Sequence, residues 1–159
     1  MKPQPGQTAP KFTAPVAGEG YAEDATLTLD DLRGERVVLV FYPKDDTPGC
    51  TREACAFRDN LPKFDTKNAT IVGVSKDSSE SHDAFKAKFQ LPFPLVADTD
   101  GKLCEAYGVW GERERDGKKF MGINRSTFLI DKTGVIRKEW RGVNPDGHAE
   151  EVLQAIQAL

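Results

Sequence analysis

The sequence predicts an α/β fold, a mixed central sheet flanked by helices, formed by one domain over residues 1–159. Three observations point there. Val37-Val38-Leu39-Val40-Phe41 and Ile71-Val72-Gly73-Val74 are short apolar runs without alternation, the pattern of strands covered on both faces. Each is followed by a segment with helical spacing. Further on, a strand pair joined by Asp131-Lys132-Thr133-Gly134 precedes a C-terminal segment with Ala149, Val152, Leu153, Ile156 and Leu159 on one helical face. The order βαβαβα, then hairpin, then helix implies a mixed sheet with helices on both faces.

Taken in order, Lys2 to Gly20 hold four prolines and three glycines and read as an extended arm or hairpin. Thr26-Leu27-Thr28-Leu29 alternates as a short strand, and Arg36 to Tyr42 is the first buried strand. Pro43 stops it, and Pro48-Gly49 punctuates the loop that follows. From Cys50 to about Phe64 the spacing of Ala54, Phe57 and Leu61 is helical, with Pro62 ending or kinking the helix near Asn60. After the strand Thr70 to Ser75, Asp77 or Ser78 can cap a helix, and Glu80 stands in capping-box relation to Asp77. Phe85 and Phe89 share a face of that helix. Leu95-Val96-Ala97 is a third strand, and Lys102 to Tyr107 a short helix. Asp116-Gly117 is a turn between two short strands.

Composition limits the function classes. A net charge of −3, with no like-charge run beyond two residues, argues against nucleic acid or an anionic membrane as partner. No apolar stretch approaches the roughly 18–20 residues of a membrane-spanning helix. The N-terminus lacks the apolar core of a secretory signal. With three cysteines, this points to a reducing compartment, the cytoplasm, and to thiols kept for chemistry. Two distant histidines and a single C-x-x-x-x-C make a poor zinc pattern, and neither GxGxxG nor a P-loop is present, so no metal or cofactor is expected.

The informative segment runs Phe41-Tyr42-Pro43-Lys44-Asp45-Asp46-Thr47-Pro48-Gly49-Cys50-Thr51-Arg52-Glu53-Ala54-Cys55. A buried strand ends, a Pro/Gly-stiffened loop follows, and Cys50 opens a helix. The free N–H groups and the dipole of a first helical turn favour a thiolate there. Thr47, three residues upstream, can place its hydroxyl near the sulfur. Other candidates carry less. Cys104 reads as a packing residue, His82 shares the face of Phe85 and Phe89, and His148 opens the last helix on its solvated side.

Pro43-x-x-x-Thr47-x-x-Cys50 resembles the active-site signature of the peroxiredoxins. With Gly49 before Cys50 and Cys55 five residues after it, the run is similar to the bacterioferritin comigratory protein (PrxQ) subfamily. Gly108-Val109-Trp110 and the run from Gly122 to Asp131 extend the likeness over most of the chain. The resemblance implies a thioredoxin-like fold and reduction of hydrogen peroxide or organic hydroperoxides at cysteine, without metal or flavin. It implies Cys50 as the attacking sulfur, Thr47 as hydrogen-bond donor to the peroxide, and Pro43 as shield of the pocket. It further implies Arg125 as the arginine of the site and Glu53 as the acid holding it. By residue type alone, Arg125 is equally a surface cation and Glu53 a solvated helix residue. Cys55 is expected to resolve the Cys50 sulfenic acid as an intramolecular disulfide, recycled by thioredoxin or a similar dithiol, with Cys104 as the competing resolver. Both redox cysteines on one chain make a monomer the simplest expectation. Two rivals use the same Cys50: a thiol–disulfide oxidoreductase, which normally carries C-x-x-C, and a peroxide sensor that passes oxidation to a partner.

Overall fold

The computed structural model describes residues 3–18 and 25–158, so Lys2, Gly20 and Leu159 lie outside the described residues. Strands β1 (Thr13–Ala17), β2 (Thr26–Thr28), β3 (Arg36–Phe41), β4 (Ala69–Ser75), β5 (Leu95–Ala97), β8 (Ser126–Ile130) and β9 (Ile136–Arg141) form one sheet in the order β2-β1-β5-β4-β3-β8-β9. Strands β3, β4 and β5 run parallel, while β8 and β1 lie antiparallel to their neighbours β3 and β5. The sheet is mixed, as the sequence implies. Strands β6 (Trp110–Arg115) and β7 (Lys118–Ile123) make a separate hairpin. At its turn Asp116 and Gly117 both have positive φ, 53° and 78°, as a two-residue turn matching strand twist requires.

The period-2 geometry of β3 divides the core. Leu39 and Phe41 face one side with Val72, Val74 and Phe128; Val38 and Val40 face the other with Ile71 and Leu129. The second side is covered by α1 (Pro48–Asp59), α2 (Leu61–Asp65), α3 (Ser79–Phe89) and α5 (His148–Gln157), through Phe57, Phe64, Phe85, Val152 and Ile156. The first side is covered by α4 (Lys102–Ala106), through Leu103 and Cys104, and by Tyr107 just beyond it. There the Phe41, Tyr107 and Phe128 rings pack with centroids 5.0–5.7 Å apart. The N-terminal arm completes that cover: Ala9 N–H donates to Gly134 O, and Tyr107 Oη–H to Pro10 O.

One open alternative is decided and one expectation is corrected. Ser78, not Asp77, caps α3, its hydroxyl accepting from Ser81 N–H at 3.1 Å. Asp77 instead accepts from Asp45 N–H and from the Ser75 hydroxyl, so its carboxylate serves the loop after β3. His148 is buried, not solvated. Gly147, at φ 79°, turns the first residue of α5 inward. The His148 ring then pairs Nε2 with Thr127 Oγ1 at 2.8 Å and Nδ1 with Glu151 Oε1 at 2.9 Å. Burial pulls its pKa down against the Glu151 carboxylate.

Candidate active site

Three carboxyl-terminal strand ends meet where the Cys50 loop begins. Strand β3 stops because Pro43 has no N–H to continue the ladder. The chain then crosses to Thr47, whose extended backbone (φ −100°, ψ 155°) starts α1, with Pro48 as first helical residue. Cys50 is therefore in the first turn, where main-chain N–H groups have no helical acceptor. It is 2% exposed and sits at the floor of a groove of about 930 Å³. Pro43, Thr47, Arg52 and Arg125 line this groove, and the β6–β7 hairpin forms its far wall.

Arg125, immediately before β8, reaches the sulfur. Its Nη2 donates to Cys50 Sγ at 3.3 Å and its Nη1 to Glu53 Oε1 at 3.1 Å. Because β8 lies beside β3, residues 75 and 72 positions apart are brought into contact. Gly49 leaves room here, since a Cβ at that position would stand 3.2 Å from Arg125 Nη2 and press on the guanidinium. Arg125 is thus no surface cation, and Glu53, 2% exposed, is no solvated helix residue. The Thr47 hydroxyl lies in the groove with its O–H donated to Lys44 O at 2.9 Å. With that O–H engaged, the hydroxyl presents acceptor lone pairs to the groove, and donation into it requires release of Lys44.

Glu53 is a strained acid. Burial pushes its pKa up to about 7, and the Arg125 guanidinium opposes this only in part. Its Oε2 is, among the described residues, the buried side-chain polar atom without a hydrogen-bond partner. Burial pulls the Arg125 pKa down, but the adjoining Glu53 and Cys50 outweigh it and keep the guanidinium charged.

The sign of the pH effect follows from the acid. A folded pKa near 7 above an unfolded value near 4.3 gives stability that is full at low pH and lost as pH rises through 7. Glu53→Gln keeps an acceptor for Arg125 and removes the titration. From pH 5 to pH 8 the wild type should lose about 2–3 kcal/mol relative to this variant. Denaturant unfolding of both proteins at the two pH values measures it, and parallel pH dependences would exclude a titrating Glu53.

Cys55 is half-buried on the same uninterrupted α1, and all three cysteines are free thiols. Five helical positions put its Cα about 8–9 Å from that of Cys50, beyond the roughly 7 Å limit for an unstrained disulfide. Cys104 belongs to the core on the opposite face of the sheet, fully buried, with its pKa pushed far up by burial and then by Asp98. The residues that sequence reasoning missed lie in the groove wall. Phe120 and Met121 are exposed on β7, beside Trp110, whose ring carries Lys76 Nζ at 3.9 Å. Two apolar residues adjoining Lys118-Lys119 in a short strand were the available signal.

Comparison with known proteins agrees with this geometry. The AhpC/TSA family model matches residues 5–139. The putative peroxiredoxin bcp of Coxiella burnetii is 50% identical over 153 residues, covering 96% of this chain and 98% of that protein. The peroxiredoxin Bcp of Bacillus subtilis is 52% identical over 134 residues, 84% and 85% of the respective chains. Among solved structures, a cysteine-to-serine mutant of Xylella fastidiosa PrxQ superposes with a TM-score of 0.91 at 41% identity, covering 99% and 98% of the chains. A Xanthomonas campestris bacterioferritin comigratory protein, described for its alkyl peroxide reduction activity, gives 0.86 at 41% identity over 99% and 97%. The fold is thioredoxin-like, and the activity is that of a thiol-dependent peroxidase, taking a hydroperoxide and a thiol reductant. This chain belongs to the AhpC/TSA family, as a peroxiredoxin of the Bcp (PrxQ) kind.

Proposed function

We propose that Cys50 is the sulfur that reduces hydrogen peroxide and organic, including alkyl, hydroperoxides. The observation that carries this is the Arg125 guanidinium 3.3 Å from Cys50 Sγ on the floor of an open groove. The Cys50 thiolate attacks the terminal oxygen, the O–O bond breaks, and the leaving alkoxide takes a proton to become an alcohol. Cys50 is left as sulfenic acid. Negative charge spreads over both oxygens as the bond breaks, and that charge is what the site must stabilise. Arg125 and the main-chain N–H of Cys50 are the donors. Thr47 receives the hydroperoxide O–H or, released from Lys44, donates in turn. Pro43 screens the pocket from water, and Glu53 fixes the Arg125 fork.

Cys55 then attacks the sulfenic sulfur, water leaves, and an intramolecular disulfide remains, for thioredoxin or a similar dithiol to reduce. Residues 1–159 act as one domain, and as a monomer since both cysteines of the cycle are on one chain; the free thiols it depends on suit a reducing compartment, the cytoplasm. Peroxide consumption with a thioredoxin system tests this reading, with Arg125→Ala as the informative variant. Losing hydrogen bonds to charged groups costs about 1.5–3 kcal/mol each, so Cys50 oxidation in that variant should slow about tenfold or more. An unchanged stopped-flow oxidation rate would remove Arg125 from the reaction, and no dithiol-dependent turnover in wild type would overturn the cycle.

A further inference from the structure

Behind the Cys50 loop lies a buried polar cluster that the reaction above does not use. Asp45, in the loop, places Oδ2 at 2.7 Å from His82 Nδ1 of α3. Asp45 Oδ1 accepts from Tyr42 Oη–H at 2.6 Å, and Oδ2 from Ser81 Oγ–H at 2.8 Å. The other nitrogen of His82, Nε2, lies 3.0 Å from the main-chain oxygen of Val96 on β5. His82 is fully buried, and Asp45 is 7% exposed. Asp77 joins through Asp45 N–H and the Ser75 hydroxyl. Asp45, Asp77 and His82 group like metal ligands, but both Asp45 oxygens and both His82 nitrogens are already committed to protein partners.

The protons in this cluster can be counted. A carbonyl oxygen only accepts, so His82 Nε2 carries hydrogen. Nδ1 then faces a carboxylate oxygen, and two lone pairs at 2.7 Å in a buried site would repel, so a proton lies between them. Tyr42 remains a donor, because burial and then the Asp45 charge push its pKa well up. The groups facing His82 are Tyr42 at the end of β3, Asp45, Ser81 of its own helix and the Val96 carbonyl. The pair is a proton-bridged tie between α3 and the loop.

That loop needs a tie. Asp46 stands at φ 56°, a left-handed conformation that a residue other than glycine holds only when its surroundings impose it. Its own contact is an exposed ion pair with Lys88 Nζ at 2.8 Å, too wet to impose much. Asp45, one residue before, is clamped at both oxygens and at its N–H. Thr47 follows one residue after Asp46, and Cys50 three later.

We propose that the Asp45–His82 pair is a positioning device for the peroxidase reaction, His82 acting through Asp45 to hold the loop so that Thr47 and Cys50 face the same substrate oxygens. The proposal rests on the reading of Cys50 and Thr47 given above.

Stopped-flow oxidation of Cys50 by hydrogen peroxide, paired with alkylation of Cys50 by iodoacetamide, tests it. Alkylation needs the sulfur but not the loop hydroxyl. His82→Ala and Asp45→Ala should slow oxidation about tenfold or more while alkylation stays within about twofold. Asp45→Asn should keep most of the rate, since its amide N–H can donate to Nδ1 of a neutral His82 and its oxygen still accepts from Tyr42. Unchanged oxidation in the alanine variants, or equal losses in both reactions, would overturn the proposal. Should those variants not fold, NMR of the wild type decides. A far-downfield proton between Nδ1 and Oδ2 is expected, lost in Asp45→Asn, and its absence in wild type refutes the tie. A wild type in which peroxide leaves Cys50 unoxidised would instead refute the reading of Cys50, with the NMR result standing apart.

Discussion

Cys50→Ser is expected to abolish peroxide turnover, to background and by at least about a thousandfold, or about 4 kcal/mol in the barrier. A serine hydroxyl is not ionised near neutral pH and makes a poor nucleophile without an adjacent base. No base replaces the ionisable thiol here, because Glu53 is held by Arg125 and His148 is committed to Thr127 and Glu151. The fold should not change. Serine nearly matches cysteine in size, and its oxygen can accept from Arg125 where the sulfur does now. Peroxide consumption at equal protein concentration, with unfolding curves for both proteins, separates chemistry from stability. Activity near wild type in the serine variant would place the attacking sulfur elsewhere.

Cys55→Ser should stop the cycle one step later. Oxidation of Cys50 proceeds at the wild-type rate, since Cys55 does not touch the Arg125 fork, but dithiol-dependent turnover falls to a single equivalent. In wild type the disulfide forms only if the first turns of α1 unwind, because a regular helix holds the two Cα atoms about 8–9 Å apart. Those turns are held by burial of Cys50 and Glu53 and by the Arg125 fork, whose two nitrogens donate to Cys50 Sγ and Glu53 Oε1. The Arg52–Asp146 pair is exposed. Phe57, packed at a tilt against Phe64 and edge-on against His148, anchors the remainder of α1. Helix ends with so few buried contacts open readily. Peroxide treatment of wild type should therefore yield a Cys50–Cys55 peptide by mass spectrometry, with lost amide protection confined to the start of α1. Cys104 cannot substitute without wider unfolding, because the sheet lies between it and Cys50. A Cys50–Cys104 peptide, or sustained turnover in Cys55→Ser, would refute this assignment.

Much of this was legible in the chain itself, wherever the signal is local. The apolar runs of β3 and β4, the Asp116-Gly117 turn and the spacing of α5 each report on neighbours a few residues away, and period 2 or 3.6 suffices to read them. The placement of Cys50 in a first helical turn, three residues after Thr47, is of the same kind. Arg125 and Glu53 were named through likeness to a family, since residue type alone did not separate a site role from a surface charge for either.

Only the tertiary structure decided contacts that depend on strand order. Arg125 meets Cys50 because β8 pairs with β3, and Asp45 meets His82 because α3 packs over the strand ends. No periodicity encodes such meetings across 75 and 37 residues. Burial of His148 escaped for a related reason: an imidazole at a helix start is solvated or buried according to what packs over it, here Phe57 and Trp140. The side of the sheet on which Cys104 lies was equally beyond the sequence, and it is what sets that thiol apart from Cys50. Local stiffness makes the Cys50 turn readable from the residues. Long-range packing alone determines which charges and protons surround it.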